Sequence, residues 1–158
     1  MNNFFTFIQF LKDMEHKIEI IKFSFSDTKL FERALYIRQV VFCDEQKVSA
    51  EEEFDNLDDK CEQYLLKYND EYVVTARKRE IDEGLKLERF AVLKDFRKLG
   101  LASKILKFIL DDINDTDKKV FLNAQIEAMP LYSKFGFEKI GEQFVEADIL
   151  HYKMIFKK

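Results

Sequence analysis

Hydrophobic positions along the chain switch between two periods. Ile18 to Phe23 carries the dense apolar, β-branched pattern of a strand. Asp27 then stands where a helix N-cap belongs. Leu30, Ala34, Ile37 and Val41 follow at helical spacing, which predicts a helix running to about Phe42. Tyr64–Tyr68 and Tyr72–Arg79 read as two strands joined around the turn-forming pair Asn69-Asp70, and Leu85–Leu93 as a third, entered after a loop containing Gly84. Ala102, Ile105, Leu106, Ile109 and Ile113 make one apolar stripe with Lys104, Lys107, Asp111 and Asp112 off it, the signature of an amphipathic helix. Val120–Ala124 is another strand. Pro130 suits a first helical turn and Gly136 a helix C-cap, so they bracket a short helix. Phe137–Ile140 and Ile149–Phe156 close the chain as strands. No repeat or linker interrupts this alternation. The pattern predicts one α/β (α+β) domain over residues 15–158, with a mixed sheet of six to seven strands flanked by helices.

Residues 1–14 form an extension in which Phe4, Phe7, Ile8 and Leu11 fall at i, i+3, i+4 and i+7, a short amphipathic helix. It has neither a basic leader nor a small-residue cleavage site, so it does not read as a secretory signal. One short apolar face binds a membrane weakly, and no run reaches the roughly 18–20 apolar residues of a spanning helix. The chain is therefore expected to have no membrane partner. With Lys plus Arg at 26 and Asp plus Glu at 30, the net charge of −4 argues against a nucleic-acid partner. Cys43 and Cys61 lack a CxxC spacing or a histidine-rich neighbourhood, which argues against a bound metal. Two thiols fit a reducing compartment, so a cytoplasmic protein is expected. Cys43 sits on the apolar helix and is expected to be a buried, inert thiol. Six acids crowd the nine residues Glu51 to Asp59, which predicts an exposed loop or short helix outside the core. Sheet edges and the apolar N-terminal helix suggest a homodimer.

Chemistry concentrates in Leu87 to Ala102, where a strand ends, a basic turn with one glycine follows and a helix begins at once. Backbone N–H groups at a helix start lack partners and point outward, so such a turn can cradle an anion. Gly100 lets the backbone approach a diphosphate closely, and Lys94, Arg97 and Lys98 add positive charge to an otherwise acidic chain. A plain strand–helix turn would share much of this pattern.

Arg97-x-x-Gly100-x-Ala102 after a strand resembles the (Gln/Arg)-x-x-Gly-x-(Gly/Ala) signature of the GNAT superfamily of N-acetyltransferases. Downstream, Ala128 to Phe137, with Tyr132, Gly136 and Phe137, resembles that superfamily's A-x-x-x-Y-x-x-x-G-F segment. Ile37 to Gln46, the acidic loop, Leu122 to Gln125 and Glu146 to His151 are similar to the small bacterial ElaA/YjcF-like branch. Ala102 stands where many members have Gly, and Gln125 where many have Asn.

The resemblance implies a cleft between two splayed central strands, acetyl-CoA as co-substrate, and direct acetyl transfer to a primary amine. It assigns Phe90, Ala91 and Val92 to the pantetheine arm. Arg97, Lys98, Leu99, Gly100, Leu101, Ala102 and Ser103 would hold the pyrophosphate, and Asn123 and Gln125 would line the cleft. A protonated amine cannot attack, so a base must take its proton; a departing thiolate benefits from a proton donor. Tyr132 matches the family's general acid. Glu88, a strand carboxylate, and His151, an imidazole at the family-like end of the sheet, both stand as bases. Glu45, Glu53 and Asp55 could steer a cationic small-molecule amine. A protein acceptor and a non-catalytic acyl-CoA sensor are the alternatives, the sensor being disfavoured by Tyr132 and Glu88.

Overall fold

The computed structural model describes residues 16–158, and the apolar positions Phe4, Phe7, Ile8 and Leu11 lie outside the described residues. After β1 (Ile18–Ser24), the Asp27 side chain accepts a hydrogen bond from the Leu30 N–H at 3.2 Å and starts α1 (Thr28–Arg38). Ala34 and Ile37 of this helix, with Val41 and Phe42 beyond it, pack on Phe23, Leu65 and Ala91 of one sheet face. Winding continues past the expected end at Phe42: Gln39–Glu45 form a π-helical stretch, with the Gln46 N–H bonding the Val41 carbonyl at 3.1 Å. A one-turn α2 (Ala50–Glu53), capped by Ser49, leads toward the sheet.

β2 (Cys61–Tyr68), β3 (Glu71–Ile81) and β4 (Gly84–Val92) continue the sheet antiparallel to one another. The β2–β3 turn falls on Asn69 and Asp70, both at positive φ, a geometry their short polar side chains tolerate. α3 (Leu101–Asp112) then crosses over, as a parallel neighbour of β4 requires, and its Leu101, Ile105, Leu106 and Ile109 cover the second sheet face against Leu66, Val74 and Leu87. β5 (Val120–Gln125), α4 (Met129–Lys134), β6 (Phe137–Glu146) and β7 (Ile149–Phe156) complete a seven-stranded mixed sheet in the order β1-β2-β3-β4-β5-β7-β6. The final hairpin is longer than its apolar pattern implied, because β6 runs on to Glu146 with an irregularity between Ile140 and Phe144.

Two backbone features open the sheet at its centre. Gly84 brings the start of β4 so close to the strand beside it that a Cβ there would sit 2.2 Å from the Lys119 carbonyl oxygen. That contact allows the Leu85 N–H to bond the same oxygen at 2.8 Å and seats β4 next to β5. The parallel pairing lasts only two rungs, Leu85 with Val120 and Lys86 with Phe121. Above them β4 bulges: Ala76 of β3 faces both Arg89 and Phe90, and Arg89 takes φ 61°. From Leu87 and Leu122 upward the two strands diverge as a fork.

The acidic segment is a correction to the expectation of a solvated run. Glu53 and Asp58 are buried, at 3% and 7% exposure, beside Arg38 and Arg77, which are also buried. Arg38 meets Glu53 at 2.6 Å and Asp58 at 2.7 Å, and Arg77 meets Asp58 at 2.8 Å and Asp55 at 2.5 Å. Charges can enter an interior only when paired and hydrogen-bonded, and each of these is. Cys43 is a second correction, being half-buried, whereas Cys61 is buried. Burial pushes the Cys61 thiol up to about 11 and raises that of Cys43 as well, so neither is set up as a thiolate nucleophile. No helix among the described residues is long and apolar enough to cross a membrane.

Candidate active site

The fork opens into a cavity of about 460 Å³. It gathers Glu53, Asp55, Glu88, Phe90, Asn123, Gln125, Tyr132 and His151 from five different segments of the chain. Ala91 and Val92 lie just above on β4, and Arg97 to Ser103 form the turn that follows it. In that turn Lys98 (φ 64°) and Gly100 (φ 74°) are left-handed and flank Leu99, and Gly100 has nothing within 4 Å of where a Cβ would stand. The Lys104 N–H bonds the Gly100 carbonyl at 3.2 Å, so the N–H groups of Leu101, Ala102 and Ser103 belong to the unpaired first turn of α3. A concave run of outward N–H groups with a helix start behind it suits a phosphate group. Arg97 closes one side: its Nε donates to the Val92 carbonyl at 3.0 Å and its terminal nitrogens reach Glu45 at 2.7 and 3.1 Å.

Tyr132 sits where α4 packs into the base of the fork, edge-on to Phe90 and Phe137 with ring centroids 5.7 and 6.0 Å away. Burial among these rings raises its phenol well above the ordinary value, so the hydroxyl stays protonated at neutral pH. His151 lies on β7, one strand across from the β5 arm of the fork, opposite Gln125 and stacked on Phe144. Its Nδ1 is 2.7 Å from the Ile149 carbonyl. A carbonyl only accepts, so Nδ1 carries a hydrogen, and in the neutral form of the ring the lone pair is on Nε2, with Glu146 3.8 Å from that atom.

Glu88 is held differently from a free carboxylate. Burial opposes its ionisation, but Arg77 at 3.3 Å, Arg79 at 2.9 Å and Lys86 at 3.4 Å outweigh burial and hold it below the usual range. Burial likewise opposes Asp55, and hydrogen bonding to Arg77 brings it down to about 2. Glu53 is the exception, because burial outweighs Arg89 and Arg38 and its value is raised. The three acids expected to draw a cation thus already face arginines: Glu45 faces Arg97, Glu53 faces Arg38 and Arg89, and Asp55 faces Arg77 and Arg89.

Five polar cavity residues outside the acidic segment were not singled out for a site role by the sequence reading: Gln46, Arg79, Lys86, Arg89 and Glu146. Gln46 caps the π-helical stretch and pairs reciprocally with Gln125 at 2.8 and 3.4 Å. The signal for Arg79 and Lys86 was present in the chain. Charged residues at every second position of central strands, Arg77 and Arg79 in β3, Lys86 and Glu88 in β4, mark a polar face where a buried sheet should be apolar.

A forked central strand pair, a turn of outward N–H groups at its mouth and a buried phenol at its base go with an acyltransferase, the class to which the comparisons assign the chain. The profile of the acetyltransferase (GNAT) domain family matches residues 36–158. The uncharacterized N-acetyltransferase YjcF of Bacillus subtilis is 38% identical over 125 residues, covering 77% of this chain and 89% of that protein. The crystal structure of Escherichia coli ElaA superposes with a TM-score of 0.80 at 25% identity, covering 89% of this chain and all of the other. A GNAT family acetyltransferase from Elizabethkingia anophelis, solved with acetyl-CoA bound, superposes with a TM-score of 0.61 at 18% identity over 87% of this chain and 94% of its own. The chain belongs to the GNAT acetyltransferase family, in its ElaA/YjcF-like branch, and is an acyltransferase.

Proposed function

We propose that the enzyme transfers acetyl from acetyl-CoA directly to a primary amine bound in the same cleft. The observation that carries this reading is the fork itself, with the Tyr132 hydroxyl at its base and the Lys98–Ser103 turn at its mouth. The acetyl-CoA of the Elizabethkingia relative supports the choice of donor.

In this mechanism the diphosphate rests on the N–H groups of the turn, and the pantetheine arm runs along β4 past Phe90 and Val92. His151 Nε2 takes the proton of the acceptor ammonium, which frees the nitrogen lone pair. That nitrogen attacks the thioester carbonyl carbon and a C–N bond forms; the nitrogen then sheds its second proton to solvent, and the C–S bond breaks as the tetrahedral intermediate collapses to the amide. The electron pair leaves on sulfur, and the Tyr132 hydroxyl supplies the proton that makes it a free thiol; solvent restores the phenol. Glu88 is the poorer base of the two expected, since three cations stabilise its ionised form and lower its proton affinity. Its part is to orient the cations around it and the acceptor side of the cavity.

Thiol release from acetyl-CoA, measured across polyamines, amino sugars, amino acids and basic peptides, tests the proposal. Turnover with at least one class is expected. Stabilisation of the fold by acetyl-CoA without turnover on any of them would contradict a small-amine acceptor.

A further inference from the structure

One end of the cavity carries more positive charge than its fold requires. Arg79 and Lys86 stand opposite each other on the β3–β4 ladder, and Lys86 is also on the last rung that joins β4 to β5. Both therefore lie at the closed end of the fork, and both line the cavity. Like charges directly opposite on neighbouring strands destabilise a sheet, so the pair needs an anion. Within the protein that anion is Glu88, and it is shared with the fully buried Arg77.

The other carboxylates of the cavity do not help. Glu52 accepts from the Ser49 hydroxyl at 2.9 Å, Glu53 and Asp55 are engaged by Arg38, Arg77 and Arg89, and Glu146 stands beside His151. Among the described residues Arg79 hydrogen-bonds only through Nε, which leaves the two terminal nitrogens of its fork without partners. Lys86 Nζ lies 3.4 Å from Glu88 but makes no hydrogen bond among the described residues, with its side chain only 17% exposed. A partly desolvated ammonium and an open guanidinium fork, set side by side in a low-dielectric cleft, focus positive potential there.

We infer that Arg79 and Lys86 form a carboxylate subsite for the acceptor, so that the substrate is a primary amine bearing its own carboxylate, such as an amino acid or a peptide end, rather than a polycation. This rests on reading the cavity as the acyl-transfer cleft. The planar guanidinium takes a carboxylate by two parallel bonds, and Lys86 adds a point charge beside it. Glu88 then holds both cations in place and keeps them apart from Arg77.

Calorimetric titration of the CoA-saturated protein decides the matter. The probes are the ω-amino acids from glycine to aminohexanoate, each compared with the alkylamine of the same chain length. At least one amino acid is expected to bind roughly tenfold or more tightly than its alkylamine, as charge-assisted bonds to a carboxylate require. Lys86→Gln should reduce that preference to within about twofold while leaving CoA affinity unchanged, and Lys86→Arg should keep it. The inference is overturned if the alkylamines bind as well or better, if no amino acid binds while CoA does, or if Lys86→Gln keeps the preference. Failure of CoA itself to bind would instead overturn the functional reading beneath it.

Discussion

Replacing Arg38 with methionine removes the cation at the centre of the buried network from a position that does not itself line the cavity. Its guanidinium makes three bonds: to Glu53 at 2.6 Å, to Asp58 at 2.7 Å and to the Glu53 carbonyl at 3.0 Å. Truncating one partner of a buried ion pair costs about 3–5 kcal/mol, because the other partner stays behind uncompensated. Arg89 still lies 3.1 Å from Glu53, and Arg77 2.8 Å from Asp58, so the lower end applies, about 3 kcal/mol. That is a large share of the roughly 5–15 kcal/mol that holds a domain of this kind together. The loss should also depend on pH. Burial already raises Glu53 above its ordinary value despite Arg89 and Arg38, and losing Arg38 raises it further. A carboxyl whose folded value exceeds its unfolded one favours the fold only while protonated, so the variant's deficit should widen as pH rises from about 5 to about 8. Urea unfolding followed by circular dichroism at both pH values measures this. A loss under about 1 kcal/mol with an unchanged m-value, and no dependence on pH, would refute the account of the network.

Two further predictions concern the turn and the acidic segment. Glu45→Gln removes the carboxylate that competes with an incoming phosphate for Arg97, and exposed pairs of this kind are worth about 0.2–1 kcal/mol. Acetyl-CoA affinity should therefore rise, by up to about fivefold, in calorimetry; a fall would mean that Glu45 holds Arg97 in its binding position. Asp55 is brought down to about 2, so its contribution is complete above its unfolded value and is lost as pH falls from about 4 toward 2. Asp55→Asn should flatten the acid limb of the stability curve over that window, by about 1 kcal/mol once its partial exposure is allowed for. Parallel limbs in wild type and variant would count against the Arg77 pair.

The sheet and its helices were legible because their signals are local. The period of Ile105, Leu106 and Ile109, the Asp27 cap and the Asn69-Asp70 turn each act within a few residues. Gly100 and Tyr132 were legible for a different reason, since each stands in a short segment with a recurring spacing. The buried charges were not legible. Glu51 to Asp59 read as a solvated run because the arginines that draw it inward lie far off in sequence, Arg38 at the end of the helix before it and Arg77 on the second strand after it. Periodicity cannot show that pairing. The bulge at Arg89 was hidden as well: one extra residue leaves the apolar alternation of β4 nearly intact, yet it turns the strand away from β5 and makes the fork. Gln46 reached the cavity only because the helix after Arg38 widened into a π turn, which no residue type in Gln39–Glu45 announces.

The most direct test of acyl transfer through this fork is a comparison of wild type with Tyr132→Phe for acetyl-CoA binding and for thiol release with an accepted amine. Removing only the hydroxyl oxygen leaves the packing on Phe90 and Phe137, so the acetyl-CoA dissociation constant should hold within about twofold. Loss of a general acid should lower kcat by roughly 100-fold or more. A variant that binds the donor normally and turns over at the wild-type rate would contradict the central claim.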